Sequence, residues 1–144
     1  VNDWRNVRHE VHCVEVDPGR FSALQDERRY AAVYHVDFLA LTPRTTGLFD
    51  RVVMNPPFDD QLDIDHVSHA WSFLRPGGQL VAVMSAGTEW RENRKARAFR
   101  ALMARHGARW FDNPPGSFAA VGTNVNTVTL VVTKREEAKG HADQ

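Results

Sequence analysis

The sequence predicts an α/β fold built on a doubly wound, mostly parallel sheet. Three observations carry that expectation: short β-branched strands alternate with segments of helical period, Pro/Gly turns separate them, and polar residues gather where the strands end. In such sheets ligands bind at the C-terminal ends of the strands.

Val11 to Val16 is short, β-branched and mostly apolar, and it stops at Asp17-Pro18-Gly19, as a buried parallel strand should. Asp17 can cap a following helix with Pro18 as its first residue, which places Phe21 and Leu24 on one side. A second strand is expected over 31–36, ending at Asp37. A polar loop through Pro43, Thr45, Thr46 and Gly47 leads to the third strand, Phe49 to Met54, with its apolar run at Arg51 to Met54. The helix-incompatible Asn55-Pro56-Pro57-Phe58 terminates it. Ile64, Val67, Ala70, Trp71 and Leu74 recur at helical spacing, and Pro76-Gly77-Gly78 is expected to stop that helix. Leu80 to Met84 reads as a strand and 91–106 as a helix closed by Gly107. Two more strands are expected at 109–111 and 127–132.

A chain of 144 residues with 42% hydrophobic and 25% charged residues suits one ordinary core. We expect one partial domain over 1–134 and a charged, disordered tail over 135–144. No apolar run approaches the ~20 residues of a membrane helix, and the first residues lack the apolar stretch of a signal peptide. Cys13 is the only cysteine, so no disulfide framework is possible, and a cytoplasmic location is expected. Eighteen basic residues offset 18 acidic ones, so any nucleic-acid surface must be local. No metal site is expected: His66 and His69 share a helix, but no carboxylate completes a convincing set.

The most specific signal is Asn55-Pro56-Pro57-Phe58. Two prolines stiffen the backbone and remove two N–H donors, so the Asn55 and Pro56 carbonyls can face a ligand without neighbouring donors competing. The Asn55 amide adds an acceptor. An arylamine donates two hydrogens and shares its lone pair with its ring. Accepting both hydrogens favours the pyramidal, nucleophilic nitrogen. Asn55 cannot act as a general base and need not, because the proton can leave after the positive charge forms. Phe58 offers a face for a planar substrate, worth ~1–3 kcal/mol per base in single-strand binders. A proline-rich turn is the plainer alternative. The chain repeats Asn-Pro-Pro at Asn113 to Pro115, but Gly116 replaces the aromatic and that copy reads as a turn.

Asn55 to Phe58 resembles, residue for residue, the N-P-P-[F/Y] motif of class I methyltransferases that modify adenine N6, guanine N2 or glutamine N5. Val14-Glu15-Val16-Asp17-Pro18 is similar to that family's second motif, which implies Glu15 as the ribose ligand and Val16 as the residue packing on the cofactor's adenine. Asp37-Phe38-Leu39 resembles the third, implying that Asp37 accepts the adenine amino hydrogen and that Phe38 flanks the ring. A helix-capping or solvent-facing acid at Glu15 and turn capping by Asp37 are the alternatives. Leu74 to Leu80 looks like the family's helix-to-strand turn, with a purely structural role.

The resemblance covers nearly all of 11–132 but lacks the family's glycine-rich first motif. The strand that carries it would lie between the Glu15 and Asn55 strands. We therefore expect a missing N-terminal segment, a second chain that fills the gap, or a decayed homologue. The implied reaction is methyl transfer from S-adenosylmethionine to an exocyclic amino nitrogen, most of all adenine N6, with DNA ahead of RNA as partner. A protein glutamine is the rival substrate. A silent nucleic-acid-binding or regulatory fragment is the rival class. The helix over 91–106 carries Arg91, Arg94, Lys95, Arg97, Arg100 and Arg105 against Glu92, and a solvated face is favoured over phosphate contact. The loop from Asn113 to Asn126 is read as a substrate lid or a plain connection between antiparallel strands.

Overall fold

The computed structural model describes residues 8–121 and 124–137. The chain divides at Thr42/Pro43 into two compact units, and among the described residues the strands form two sheets. Neither the first seven residues nor 138–144 of the charged tail fall within the described residues.

The first unit contains β1 (His12–Glu15), α1 (Pro18–Asp26) and β2 (Ala32–His35). The strands pair in parallel with Glu15 opposite His35, so both end at one edge of the small sheet. The crossover forms as the sequence indicates. Asp17 caps α1 by accepting the Arg20 N–H at 2.8 Å, and Pro18 opens the helix, where its missing N–H costs nothing. Phe21 on α1 stacks on His35 with ring centroids 4.6 Å apart, which holds the helix against β2.

The second unit contains α2 (Pro43–Thr46), β3 (Phe49–Met54), α3 (Leu62–Trp71), β4 (Leu74–Ser85), α4 (Arg94–Arg105), β5 (Arg109–Asp112) and β6 (Thr127–Thr133). Its sheet has the order β3-β4-β6-β5; β3 and β4 are parallel, and β6 runs against both β4 and β5. Leu80, Ala82 and Met84 alternate along β4 and are fully buried, with Val128 and Leu130 on β6. Ile64, Val67 and Ala70 of α3 and Ala96, Phe99 and Met103 of α4 complete the core. The α3 series keeps the i, i+3, i+6 spacing of an apolar helix face.

The structure departs from the sequence reading at three places. Leu74 does not belong to the helix: Ser72 and Phe73 donate back to His69 and Ala70 at 3.1 and 3.0 Å, closing α3 at Trp71, and Leu74 instead opens β4 opposite Phe49. Pro76-Gly77-Gly78 therefore interrupts a strand rather than ending a helix. The register passes from Phe49↔Leu74 to Arg51↔Gln79, so the intervening residues bulge out. Second, the polar segment after Thr42 holds a helical turn, closed by Gly47 at φ +79° donating to Pro43 O at 2.7 Å. Third, α4 starts at Arg94 because Asn93 accepts the Ala96 N–H at 2.9 Å and so sets the boundary.

The bulge requires both of its glycines. Gly77 adopts φ +83°, and a Cβ at Gly78 would lie 2.8 Å from Arg75 O and 3.2 Å from Asp50 O, neither of which can yield cheaply. Gly78→Ala should cost about 1–3 kcal/mol. A urea midpoint lowered at constant slope is the expected result.

Candidate functional site

The predicted site residues fall in both units. In the first unit, Glu15 ends β1 with its side chain 21% exposed. One carboxylate oxygen accepts the Asp17 N–H at 2.9 Å, and the other faces Arg20 Nε at 3.2 Å. Burial alone would push this carboxyl up. Hydrogen bonds from backbone N–H groups and the Arg20 guanidinium outweigh it and hold Glu15 below the ordinary carboxylate value. Val16 follows as an exposed apolar surface, 60% accessible, and its carbonyl contacts the His35 ring at 3.1 Å.

Asp37 stands two residues beyond β2, at the edge where β1 also ends. One of its oxygens accepts the Leu39 N–H at 2.9 Å and caps the short 3-10 turn Phe38–Ala40. So turn capping is a real local role for Asp37, whereas Asp17 rather than Glu15 caps α1, and Glu15 directs its local bonds to the Asp17 N–H and Arg20. They do not exhaust either side chain, because an ionised carboxylate has about four lone-pair sites. Two acceptor groups and the bare Val16 side chain thus share one edge of the first sheet. That acceptor set fits a nucleoside, whose hydroxyl and amino groups donate and whose ring needs an apolar face. Arg20, not anticipated from sequence, is the neighbour any such ligand would meet on Glu15.

In the second unit Asn55 follows the last residue of β3. Asn55 and Pro57 are exposed, Pro56 is buried, and Phe58 is half-buried. Pro56 thus anchors the turn. Among the described residues the Asn55 side-chain amide has no hydrogen-bond partner. The second Asn-Pro-Pro behaves differently. Asn113 Nδ2 donates to Thr127 Oγ1 at 3.0 Å, and Thr129 Oγ1 donates to Asn113 Oδ1 at 2.9 Å, so that amide is consumed in joining β5 to β6. Gly116 at φ +73° then turns the chain. The same tripeptide is a brace in one place and an unengaged amide in the other. Part of the loop proposed as a lid, at 122–123, lies outside the described residues.

After Phe58 the chain reverses into α3 through Asp60 and Gln61, both left-handed at φ 49° and 59°. Non-glycine residues pay roughly 1–2 kcal/mol each for that conformation, so the surroundings must fix it. Two contacts do so. Asn93 Nδ2 donates to Gln61 Oε1 at 3.1 Å, and Asp63, fully buried, accepts the Ser85 N–H at 2.9 Å and the Ile64 N–H at 3.0 Å. Thr88 Oγ1 also approaches Asp63, at 3.4 Å. Sequence reading missed Asp63, although a signal existed: it lies at i−4 and i−7 from Val67 and Ala70, on the buried side of α3.

No protein-family model matches the chain, and no curated protein matches it by sequence. Solved structures do. A protein of Listeria monocytogenes provisionally assigned as a class I S-adenosylmethionine-dependent methyltransferase superposes with a TM-score of 0.69 at 16% identity, over 91% of this chain and 46% of that one. The methyltransferase subunit of a type I restriction-modification system from Streptococcus thermophilus gives 0.62 at 20% identity, over 76% and 28%. The plantazolicin methyltransferase BpumL, solved with S-adenosylhomocysteine and a desmethyl substrate analogue, gives 0.57 at 7% identity, over 88% and 68%. The chain therefore has the Rossmann-like α/β fold of class I methyltransferases, and it spans less than half the length of the Listeria protein.

Asp63→Ala should lower stability by about 2–3 kcal/mol, because it strands the buried Ser85 N–H. A shift of that size in the denaturation midpoint checks the clamp, and a neutral Asp63→Ala would refute it.

Proposed function

We propose that the protein transfers a methyl group from S-adenosylmethionine to an exocyclic amino nitrogen, namely adenine N6 in DNA. The observation that carries this reading is the exposed amide of Asn55, unengaged among the described residues, held on a stiff Pro-Pro turn at the end of a parallel strand with Phe58 three residues on. The nucleic-acid target has support from the restriction-modification subunit among the structural neighbours.

The cofactor would be held by Glu15 at its ribose hydroxyls, Val16 and Phe38 on its adenine ring, and Asp37 at its adenine amino group. When bound it supplies an electrophilic methyl group on a sulfonium. Phe58 would stack on the target base. Asn55 Oδ1 and the Pro56 carbonyl would accept the two amino hydrogens, turning the nitrogen lone pair away from the ring and making it nucleophilic. Asn55 and Pro56 would hold that nitrogen while the cofactor supplies the methyl group and takes up the electron pair of the bond given up. The ammonium that results is acidic and loses its proton to water, so no general base is needed at Asn55. Holding the nitrogen in line is a large part of the rate.

Tritiated methyl transfer tests the proposal. Adenine-containing oligonucleotides should accept label, while adenine-free oligonucleotides and glutamine peptides should not; equal labelling of the adenine-free strands excludes adenine. Asn55→Ala should lower kcat by about 10²–10³, since its bonds strengthen as the nitrogen pyramidalises. Phe58→Ala should chiefly raise KM for the acceptor. Glu15→Ala should weaken cofactor binding by ~1.5–3 kcal/mol in a calorimeter.

A further inference from the structure

We infer that the outward side of α4 is a track for a nucleic-acid phosphate backbone that leads to the Asn55–Phe58 turn; it rests on the nucleic-acid reading above. The helix reads Arg-Lys-Ala-Arg-Ala-Phe-Arg-Ala-Leu-Met-Ala-Arg, with five cations and no acid. Its inner side is spent on the core through Ala96, Phe99 and Met103. Arg94, Arg97, Ala98, Ala101 and Arg105 are exposed, and their spacing sets them along one side of the helix.

The cations divide into two groups. Lys95 pairs with Asp65 at 2.8 Å, and Arg100 Nη1 donates to the Thr88 and Arg91 carbonyls at 2.9 and 2.7 Å while facing Glu92 at 3.7 Å. These two serve the fold. Arg94, Arg97 and Arg105 make no ion pair among the described residues. In a chain of zero formal charge, three unneutralised guanidinium groups on one helix side make a strong local field. They span about 16 Å at 1.5 Å per residue, and the alanines between them let a polyanion approach closely. Guanidinium forks suit phosphate oxygens.

Two further observations set the direction. The first turn of α4 carries Arg94, Lys95 and Arg97 and no acid, although the helix dipole favours anions there, so the fold forgoes stabilisation that an incoming phosphate would restore. Also, the Asn93–Gln61 bond ties the start of α4 to the residue three positions beyond Phe58. The track therefore begins beside the turn on which a base would stack.

Fluorescence anisotropy on the whole protein, with labelled adenine-containing and adenine-free G·C duplexes across a salt series, tests the track. The wild type should bind both duplexes. Log affinity should fall linearly with log salt, and R94Q/R97Q/R105Q should lose about 2–3 in slope, at about 0.9 per phosphate contact. R94K/R97K/R105K should keep the slope. If the triple variant fails to fold by circular dichroism, each single Gln variant should lose about 0.9. Unchanged slope and affinity in folded Gln variants, no binding to either duplex, or equal competition by polyglutamate would each overturn the track. Methyl transfer measured in parallel separates the two readings. Arginine-independent binding with adenine labelling overturns the track alone, and arginine-dependent binding without labelling overturns the adenine reaction alone.

Discussion

The second unit depends on one buried carboxylate. Asp63 reaches from the first turn of α3 to the Ser85 N–H, where β4 ends, and β4 lies between β3 and β6. A backbone N–H at the end of a strand has lost its ladder partner, and when buried it must find another acceptor. By supplying it, Asp63 fixes the N-terminus of α3 to the sheet. The segment between Met54 and α3 is then stretched between two fixed points, which is how two successive left-handed residues, Asp60 and Gln61, can be maintained without glycine. A turn that has to present a polar side chain benefits from such a frame, because its own prolines supply stiffness but no N–H donors.

Asn55 and Asn113 show how little a tripeptide decides by itself. Both precede two prolines and both follow a strand. Asn113 sits where β5 and β6 run antiparallel, so threonines from the neighbouring strand are close enough to take both ends of its amide. Asn55 leaves β3 beside a parallel neighbour, and the chain at that end of β4 turns away into a 3-10 segment, Ala86–Glu89. Strand direction, which the tetrapeptide does not encode, determines whether the amide is used up. The aromatic at Phe58, against glycine at 116, was the local sign of that difference.

Much of the fold was legible because it rests on local chemistry. Asp17-Pro18 announces α1, and β-branched runs announce β1, β3 and β6. Leu74 was misread because its apolar character fits either a helix face or a buried strand, and the choice is made by backbone bonds from Ser72 and Phe73 that no periodicity reports. Pro76-Gly77-Gly78 was read as a terminator for the same reason; a strand can absorb those residues only as a bulge, and the bulge is set by the pairing with β3. Of the site, the residues with a chemical signature were visible: the carboxylates at strand ends and the Asn-Pro-Pro-Phe turn. Asp63 was not: its spacing from Val67 and Ala70 put it on the buried side of α3, but its role shows only once its partner, 22 residues away, is in place. Arg20 was hidden for a related reason, because the capped start of α1 is what brings it back to Glu15.

The use of charge follows the same division between fold and site. Acids that hold backbone, such as Asp17, Asp37 and Asp63, accept N–H groups within or beside their own elements, and those bonds orient them whatever else they bind. Cations that hold backbone do the converse: Arg100 and Lys134 donate to carbonyls at the ends of structure, Lys134 Nζ reaching Trp71 O at 3.0 Å. Once these are assigned, the residual charge is far from evenly spread despite the zero sum. Arg94, Arg97 and Arg105, which make no ion pair among the described residues, lie along one side of α4, whose start is tied to the strained segment after Phe58. A composition that excludes a global field is therefore compatible with a local one, because equal numbers of acids and bases need not be spread equally along the chain.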